Sequence, residues 1–247
     1  MRLRIVTTGE VHPHLTAAID EVLLRAAGGG KGAALHLYMR SPPAVSYGYF
    51  GRVRELLNLD YCIQEGIVPL RRLSGGGAIY TDEGQLIYAL AAKDELPPEP
   101  QAVYEMVCGG LAEAIHALGT EAEFKPPNDV QIAGRKVSGS AIARRYGGRL
   151  IHGTVIMRLS RERVDRALKI PRKLLDRGVK SHSAYLTSLE DVVGPLEIER
   201  VKEAVVKGLT AKLGAEPYHL PLSSEELAFA QRLMQERYSR DEWNMRL

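Results

Sequence analysis

Cysteine and long apolar runs are both scarce in this sequence. Only Cys62 and Cys108 among the 247 residues are cysteines, too few for a disulfide framework or a metal site with four cysteine ligands. The longest apolar runs, such as residues 86–92, are far shorter than the roughly 20 residues of a membrane-spanning helix, and the N-terminus has no signal-peptide core. We therefore expect a cytoplasmic protein with buried thiols and no membrane contact.

A large excess of charge of one sign is absent as well. The chain has 33 Lys and Arg residues against 30 Asp and Glu residues, and the formal net charge of +3 is too small to indicate a nucleic-acid partner. Between residues 158 and 180, however, nine basic residues outnumber three acidic ones. This basic segment, which includes Lys180, could attract an acidic partner, and a solvated helix face is an equal alternative.

The apolar pattern predicts helices and strands within one domain, residues 1–247. Predicted helices cover residues 15–27, 60–65, 101–118, 161–168, 196–213 and 224–237, the last with a capping-box pattern at Ser223 and Glu226. Predicted strands cover residues 3–7, 34–40, 44–49, 67–71, 85–92, 129–132, 136–144 and 149–158. Isolated helices between strand runs predict an α+β fold with mixed or antiparallel sheets flanked by helices.

The most informative segment is residues 71–80, which contains three consecutive glycines. Gly75, Gly76 and Gly77 stand between β-prone segments, and glycine most readily adopts the positive φ angles that turn several backbone N–H groups toward one anion. With Arg72 beside them, these glycines predict a cradle for a phosphate or carboxylate group. A flexible hairpin loop without a ligand is an equally good interpretation of the three glycines.

A second segment, residues 127–141, places a lysine among small residues. If residues 136–141 form a strand, Lys136, Ser138 and Ser140 point to one face of it. A lysine on such a face could approach a buried ligand as a compact positive charge. An exposed edge strand, where lysine is also common, is the alternative.

A third segment, His152-Gly153-Thr154, places one histidine in an otherwise apolar strand. A lone strand histidine is more often structural than catalytic. Motifs of several other enzyme classes are missing, because the glycines at 28–32 do not form a P-loop and neither G-x-S-x-G nor H-E-x-x-H occurs. Hydrolase and zinc-enzyme functions therefore lose their main support.

Taken in order, the three segments resemble the lipoate-protein ligase A family of the biotin/lipoate ligase and octanoyltransferase superfamily. The shared patterns are RR-x-SGGG-A-[IV]-Y, ND-x-x-x-x-GRK-[VI]-SGSA and HGT. The resemblance implies a class II synthetase-like catalytic domain that uses ATP and Mg²⁺ to convert lipoate into lipoyl-AMP. It further implies transfer of the lipoyl group to a lysine on lipoyl domains of 2-oxoacid dehydrogenase acyltransferase subunits or on the glycine cleavage H protein.

The resemblance also assigns roles to individual positions. Lys136 matches the catalytic lysine, which would hold the lipoate carboxylate against the α-phosphate. Asp129 matches a position that would help to hold Mg²⁺, and His152 matches a histidine near the acyl tunnel. The full set expected to bind ATP or lipoyl-AMP is Arg72, Ser74, Gly75, Gly76, Gly77, Ala78, Ile79, Tyr80, Asn128, Asp129, Lys136, Ser138, His152, Gly153 and Thr154.

Two departures from the family leave the activity open. Octanoyltransferases and lipoyl amidotransferases of the same fold bind the acyl chain as a cysteine thioester, and neither of their two cysteine regions contains a cysteine here; Glu123 occupies one. Many lipoate ligases also carry a C-terminal accessory domain, and we expect a separate accessory protein to supply it. The alternatives are an octanoyltransferase or amidotransferase of the same fold, and a non-catalytic protein that binds lipoate or its adenylate.

Overall fold

The computed structural model describes residues 1–93, 95–170, 175–176, 178 and 181–247. Its strands are β1 (Arg2–Val11), β2 (Ala33–Arg40), β3 (Ala44–Tyr47), β4 (Val68–Arg71), β5 (Ala78–Thr81), β6 (Gln85–Ala92), β7 (Glu123–Lys125), β8 (Asp129–Ile132), β9 (Arg135–Arg145), β10 (Gly148–Ile156) and β11 (Glu216–His219). Its α-helices are α1 (Pro13–Gly28), α2 (Val53–Leu56), α3 (Leu59–Gln64), α4 (Pro100–Ala117), α5 (Arg161–Ala167), α6 (Leu189–Val193), α7 (Ile198–Leu213), α8 (Ser224–Leu233) and α9 (Asp241–Asn244).

The strands form two sheets. The large sheet has the order β11-β1-β2-β6-β10-β9-β8-β7, and the small sheet has the order β4-β3-β5. Strand β1 runs parallel to β2 and β11, and β3 runs parallel to β4, whereas the other neighbouring strands are antiparallel. The predicted α+β fold with mixed sheets flanked by helices is confirmed.

Helices cover both faces of the large sheet. On one face, α1 packs against β2, β6 and β10 and is itself covered by α8. On the other face, α4 packs against α7, and a Cβ on Gly110 would lie only 2.9 Å from the carbonyl oxygen of Gly208. The two helix backbones therefore approach as closely as they do because glycine occupies both positions.

The small sheet packs against α3 and α5. Its apolar contacts form a third hydrophobic cluster, which includes Tyr47, Cys62 and Val164.

Among the described residues, no helix combines the length and the apolar character needed to cross a membrane.

Short elements account for most differences from the predicted secondary structure. Strands β5, β7 and β11 have only three or four residues each, and they form by pairing with neighbouring strands, a context that a local pattern does not reveal. The capping box of Ser223 and Glu226 is present. The α-helix that it starts ends at Leu233 and is followed directly by a π-helical turn, Met234–Tyr238. Within the basic segment, Arg172, Lys173, Arg177 and Lys180 lie outside the described residues.

Candidate active site

A cavity of about 420 Å³ lies between the large and the small sheet. Most positions that the motifs single out line it, namely Arg72, Gly75, Gly76, Gly77, Ala78, Ile79, Tyr80, Asn128, Lys136, His152, Gly153 and Thr154. They come from the loop between β4 and β5, from β5 itself, and from β9, β10 and the residue before β8. The fold therefore brings the three sequence motifs together around one space.

The glycine-rich loop forms one wall of this cavity. Gly76 has a φ angle of 96°, a conformation that glycine adopts without strain. Gly48, just after β3, packs so closely on the loop that a side chain there would collide with the carbonyl oxygen of Gly76. Close backbone contact thus holds the loop at the cavity while Gly76 and Gly77 remain exposed to a ligand.

Arg72 is a buried cation at the base of this loop. It donates hydrogen bonds to Oγ of Ser74 at 2.9 Å and to the carbonyl oxygens of Ser46 at 3.0 Å and Gly75 at 2.6 Å. Burial, reinforced by the nearby Arg40, lowers the pKa of the Arg72 guanidinium to about 10. The guanidinium remains charged at neutral pH and is held in place by neutral oxygen atoms.

Arg40 lines the same cavity from β2. It is 5% exposed and donates hydrogen bonds to the hydroxyls of Thr16 and Thr81, each at 3.2 Å. In the part of the chain that the structure describes, neither Arg40 nor Arg72 forms an ion pair with a carboxylate. Because buried charges are stabilised by opposite charge, an anion bound in the cavity would supply the negative charge that both arginines lack.

Lys136 reaches the cavity because strand β9 contains a β-bulge. Its pairing with β8 shifts register, so that Val137 has no partner of its own and packs into the core. Lys136 consequently lies on the same side of the strand as Gly139, and any side chain at Gly139 would collide with Nζ and Cε of the lysine. The missing side chain of Gly139 provides the space for the ammonium group.

An ion pair fixes this ammonium group at the cavity wall. Nζ of Lys136 lies 2.6 Å from Oδ1 of Asp129, and the two side chains are 22% and 27% exposed. The preceding residue, Asn128, donates a hydrogen bond from Nδ2 to the carbonyl oxygen of Ser140 at 2.5 Å. The segment before β8 is thereby tied to β9 next to the lysine.

Three motif positions, Ser74, Asp129 and Ser138, do not line the cavity. Ser74 and Asp129 contact residues that do, namely Arg72 and Lys136. Ser138 is fully buried because the bulge turns it away from the side on which Lys136 lies. The expectation that Lys136 and Ser138 share one face of the strand is therefore wrong.

His152 connects the cavity to a buried polar network. Its Nε2 lies 2.7 Å from Oγ of Ser74, and its Nδ1 lies 3.7 Å from Oδ2 of Asp20 on α1. Asp20 also accepts hydrogen bonds from the hydroxyl of Tyr38 and from Nδ1 of His36, both at 2.9 Å. Burial lowers the pKa of His152; burial alone would raise the pKa of Asp20, but His152 and His36 hold it at about 2.

Sequence patterns did not single out Asp20, His36, Tyr38 or Arg40 as site residues. The available signal is the acidic pair Asp20-Glu21 within a helical segment that is otherwise largely apolar. Carboxylates on the buried side of a helix need partners, because a charged side chain is almost never fully buried unless it is paired. Such a pair indicates a buried polar network without identifying its members.

The sequence model of the lipoyl protein ligase A/B catalytic domain matches residues 12–210 of this chain. The chain belongs to this family. Octanoyltransferase LipM of Kyrpidia tusciae is 30% identical, with 98% of each chain covered. Subunit 1 of lipoate-protein ligase A from Thermoplasma acidophilum is 29% identical, covering 94% of this chain and 92% of the relative. The family thus includes both ligases and octanoyltransferases among the relatives of this chain.

Solved structures of lipoate-protein ligases have the same fold. The bi-partite lipoate protein ligase from Thermoplasma acidophilum, analysed with its E2 lipoyl domain, has a TM-score of 0.87 and 28% identity, covering 99% of this chain and 95% of that one. A lipoate-protein ligase A bound with ATP has a TM-score of 0.86 at 24% identity, with 99% of both chains covered. This member of the lipoyl protein ligase A/B family is therefore an enzyme with the lipoate ligase fold.

Neither thiol of this family member lines the cavity. Cys62 lies in the cluster beneath the small sheet, and Cys108 lies on α4 with its Sγ 3.4 Å from Oγ of Ser140. Both cysteines are fully buried, and burial raises the pKa of each thiol to about 11. Since the thiolate is the nucleophilic form, neither cysteine is prepared to carry an acyl group.

Asp129 is the motif position that the family resemblance assigns to Mg²⁺. Among the described residues, no group of three or more His, Cys, Asp or Glu side chains is placed to hold a metal ion. At nucleotide sites, however, Mg²⁺ commonly takes one or two carboxylates together with phosphate oxygens and water. Asp129 could supply one such ligand if it released Lys136, and this role stays a prediction.

Proposed function

We propose that this protein is a lipoate-protein ligase, which converts lipoate and ATP into lipoyl-AMP and pyrophosphate and then transfers the lipoyl group to a lysine of a lipoyl domain. The observation that carries the proposal is the convergence of Arg40, Arg72 and Lys136 on one cavity. Activation brings a carboxylate against the α-phosphate of ATP, so their repulsion must be offset. Three fixed cations in a partly buried site provide that stabilisation.

The lysine and the glycine-rich loop have complementary parts in this proposal. Lys136, placed beside Gly139, would hold a carboxylate oxygen and an α-phosphate oxygen close enough to react. Backbone N–H groups of residues 75–77 would bind phosphate oxygens. Apolar side chains elsewhere around the cavity suit the acyl chain: Ile79, Ile156, Leu159, Val164, Leu168 and Leu186.

Octanoyl transfer is the second candidate, and the similarity to the LipM octanoyltransferase favours it. A thioester route, however, needs a thiolate at the cavity. Both thiols of this chain are buried, and burial raises their pKa to about 11. The cationic cavity without a thiol therefore supports adenylate chemistry over a thioester intermediate.

The partners follow from the same proposal. The similarity to a ligase subunit from Thermoplasma acidophilum and to a bi-partite ligase structure supports a separate accessory subunit. That ligase was analysed together with its E2 lipoyl domain, which supports lipoyl domains as acyl acceptors here. The other expected reactants are lipoate and ATP, and we expect Mg²⁺ to accompany the ATP.

The test is acyl transfer to an apo lipoyl domain, followed by intact-protein mass measurement. Wild-type protein with lipoate, ATP, Mg²⁺ and a candidate accessory subunit should add one lipoyl mass, and Lys136→Met should be slower by about 100-fold or more, as when a site loses one charge-stabilising group. Lys207→Met, at an exposed position on α7, is the matched control and should behave as wild type.

Other reagents separate the alternatives. Transfer from an octanoyl thioester without ATP, abolished by Cys108→Ala, would replace the ligase proposal by octanoyl transfer. No mass gain from either donor or from chemically made lipoyl-AMP would identify a non-catalytic binding protein. Full activation without a second polypeptide would remove the accessory subunit from the proposal.

A further inference from the structure

The network behind His152 has one consistent arrangement of donors and acceptors. Asp20 is 3% exposed, and its two oxygens face the hydroxyl of Tyr38, Nδ1 of His36 and Nδ1 of His152. An ionised carboxylate only accepts hydrogen bonds, so the imidazole nitrogens that face it carry their protons. On the other side of its ring, Nε2 of His36 lies 2.8 Å from the hydroxyl of Thr8.

The same logic continues from His152 toward the cavity. A neutral His152 with its proton on Nδ1 has a lone pair on Nε2, which accepts the hydroxyl proton of Ser74 at 2.7 Å. The oxygen of Ser74 accepts in turn from Nε of Arg72 at 2.9 Å. All hydrogens along this chain therefore point from Arg72 toward Asp20. A protonated His152 would reverse one link and add a charge beside Arg72 and Arg40.

We propose that Asp20 is a positioning residue of the active site. By fixing the tautomer of His152 it orients the hydroxyl of Ser74, which holds the Arg72 guanidinium toward the anionic substrate. At 3.7 Å the carboxylate acts on His152 through its charge, which in a buried site is strong enough to select the nitrogen that carries the proton. This inference rests on the proposed ligase function for its kinetic consequences, but the tautomer is a property of the chain itself.

Asp20→Asn tests the proposal with little change in shape. The amide has no charge, so it no longer favours a proton on the facing nitrogen of His152, and the proton moves to Nε2, from which it donates to Oγ of Ser74. Nitrogen-15 NMR of the histidine side chains, with the His152 signal assigned from a His152→Gln sample, distinguishes the two tautomers. We expect the Nδ1–H form in the wild type and the Nε2–H form in the variant. A wild-type spectrum with the Nε2–H form overturns the proposal, as does an unchanged tautomer in the variant.

The kinetic test asks whether Asp20 acts through Ser74. We expect Asp20→Asn to slow lipoyl-AMP formation by about 100-fold, the usual effect of moving a binding group by roughly 1 Å, with an unchanged KM for the acceptor domain. Ser74→Ala breaks the next link, so the double variant should be within about twofold of the slower single variant. Losses that multiply would show independent roles and overturn the proposal.

Glu21→Gln is the matched control for general damage to α1. Glu21 is also buried, but it accepts hydrogen bonds from Arg237 and from the hydroxyl of Tyr238, both at 2.7 Å, away from the cavity. We expect Glu21→Gln to lower the Tm while leaving the His152 tautomer and the rate of lipoyl-AMP formation unchanged. Equal kinetic effects of both variants would overturn the proposal. If the wild type forms no lipoyl-AMP with the accessory subunit present, the proposed function fails, and the NMR result still decides the role of Asp20 toward His152.

Discussion

Gly139 illustrates how a single missing side chain positions a reactive group. A Cβ at this residue collides with Nζ and Cε of Lys136, and a flexible lysine can move aside without unfolding the protein. We therefore expect Gly139→Ala to keep nearly the wild-type Tm while slowing lipoyl-AMP formation by about 100-fold, because the ammonium is displaced. Calorimetry and a pyrophosphate-release assay measure the two effects.

Gly109→Ala on α4 is the control for this prediction. A Cβ there would lie 3.6 Å from Cε of Lys212, an ordinary contact distance, and alanine is the better helix former. This variant should match wild-type activity and be slightly more stable. A fully active Gly139→Ala would mean that the position of Lys136 beside Gly139 does not matter for the reaction.

At the scale of elements, the segment Asp241–Asn244 holds the base of the glycine-rich loop. Arg71 is fully buried and donates hydrogen bonds to the carbonyl oxygens of Gly51 at 2.8 Å, Trp243 at 2.9 Å and Asn244 at 3.0 Å. Nε1 of Trp243 donates back to the carbonyl oxygen of Arg71 at 2.9 Å. Of the two consecutive arginines, Arg71 thus supports the loop and Arg72 faces the cavity.

Asn244→Ala should weaken this connection. Oδ1 of Asn244 accepts from the backbone N–H of Arg71 at 2.9 Å, and its Nδ2 donates to the carbonyl oxygens of Tyr238 and Arg240. Leaving a buried N–H without a partner destabilises a protein by about 1–3 kcal/mol, so we expect a loss of that size in the free energy of urea unfolding. Met245→Ala, at the exposed neighbouring position, should have little effect, and equal stability of both variants would contradict the structural role of Asn244.

At the scale of the whole molecule, the sequence predicts the elements that have a regular apolar repeat and the cavity positions that lie in ordered motifs. Residues 101–118 repeat one apolar face and form α4 within a residue or two of the predicted ends, whereas β5 exists through its pairing with β3. The order of the motifs indicated a shared site. The bulge at Val137 and the burial of Asp20 depend on tertiary contacts, so a strict alternation along β9 placed Ser138 wrongly and the network behind His152 was not predicted.

The buried carboxylate of Asp20 also makes the stability of the whole fold depend on pH. Its pKa falls from an ordinary 3.8 to about 2 in the folded protein, so the ionised form stabilises the fold by about 2 kcal/mol at pH values well above 4. A depressed carboxylate pKa contributes stability that is lost as the pH falls through the range between the two values.

Wild-type protein should therefore lose this contribution between about pH 4 and pH 2, whereas Asp20→Asn has no such proton to bind. Urea unfolding across this range should show the two curves converging toward low pH, while Gln231→Ala, at an exposed position on α8, removes no ionisable group and keeps a constant offset from the wild type. A constant offset for Asp20→Asn as well would show that the carboxylate is not held ionised by His36 and His152.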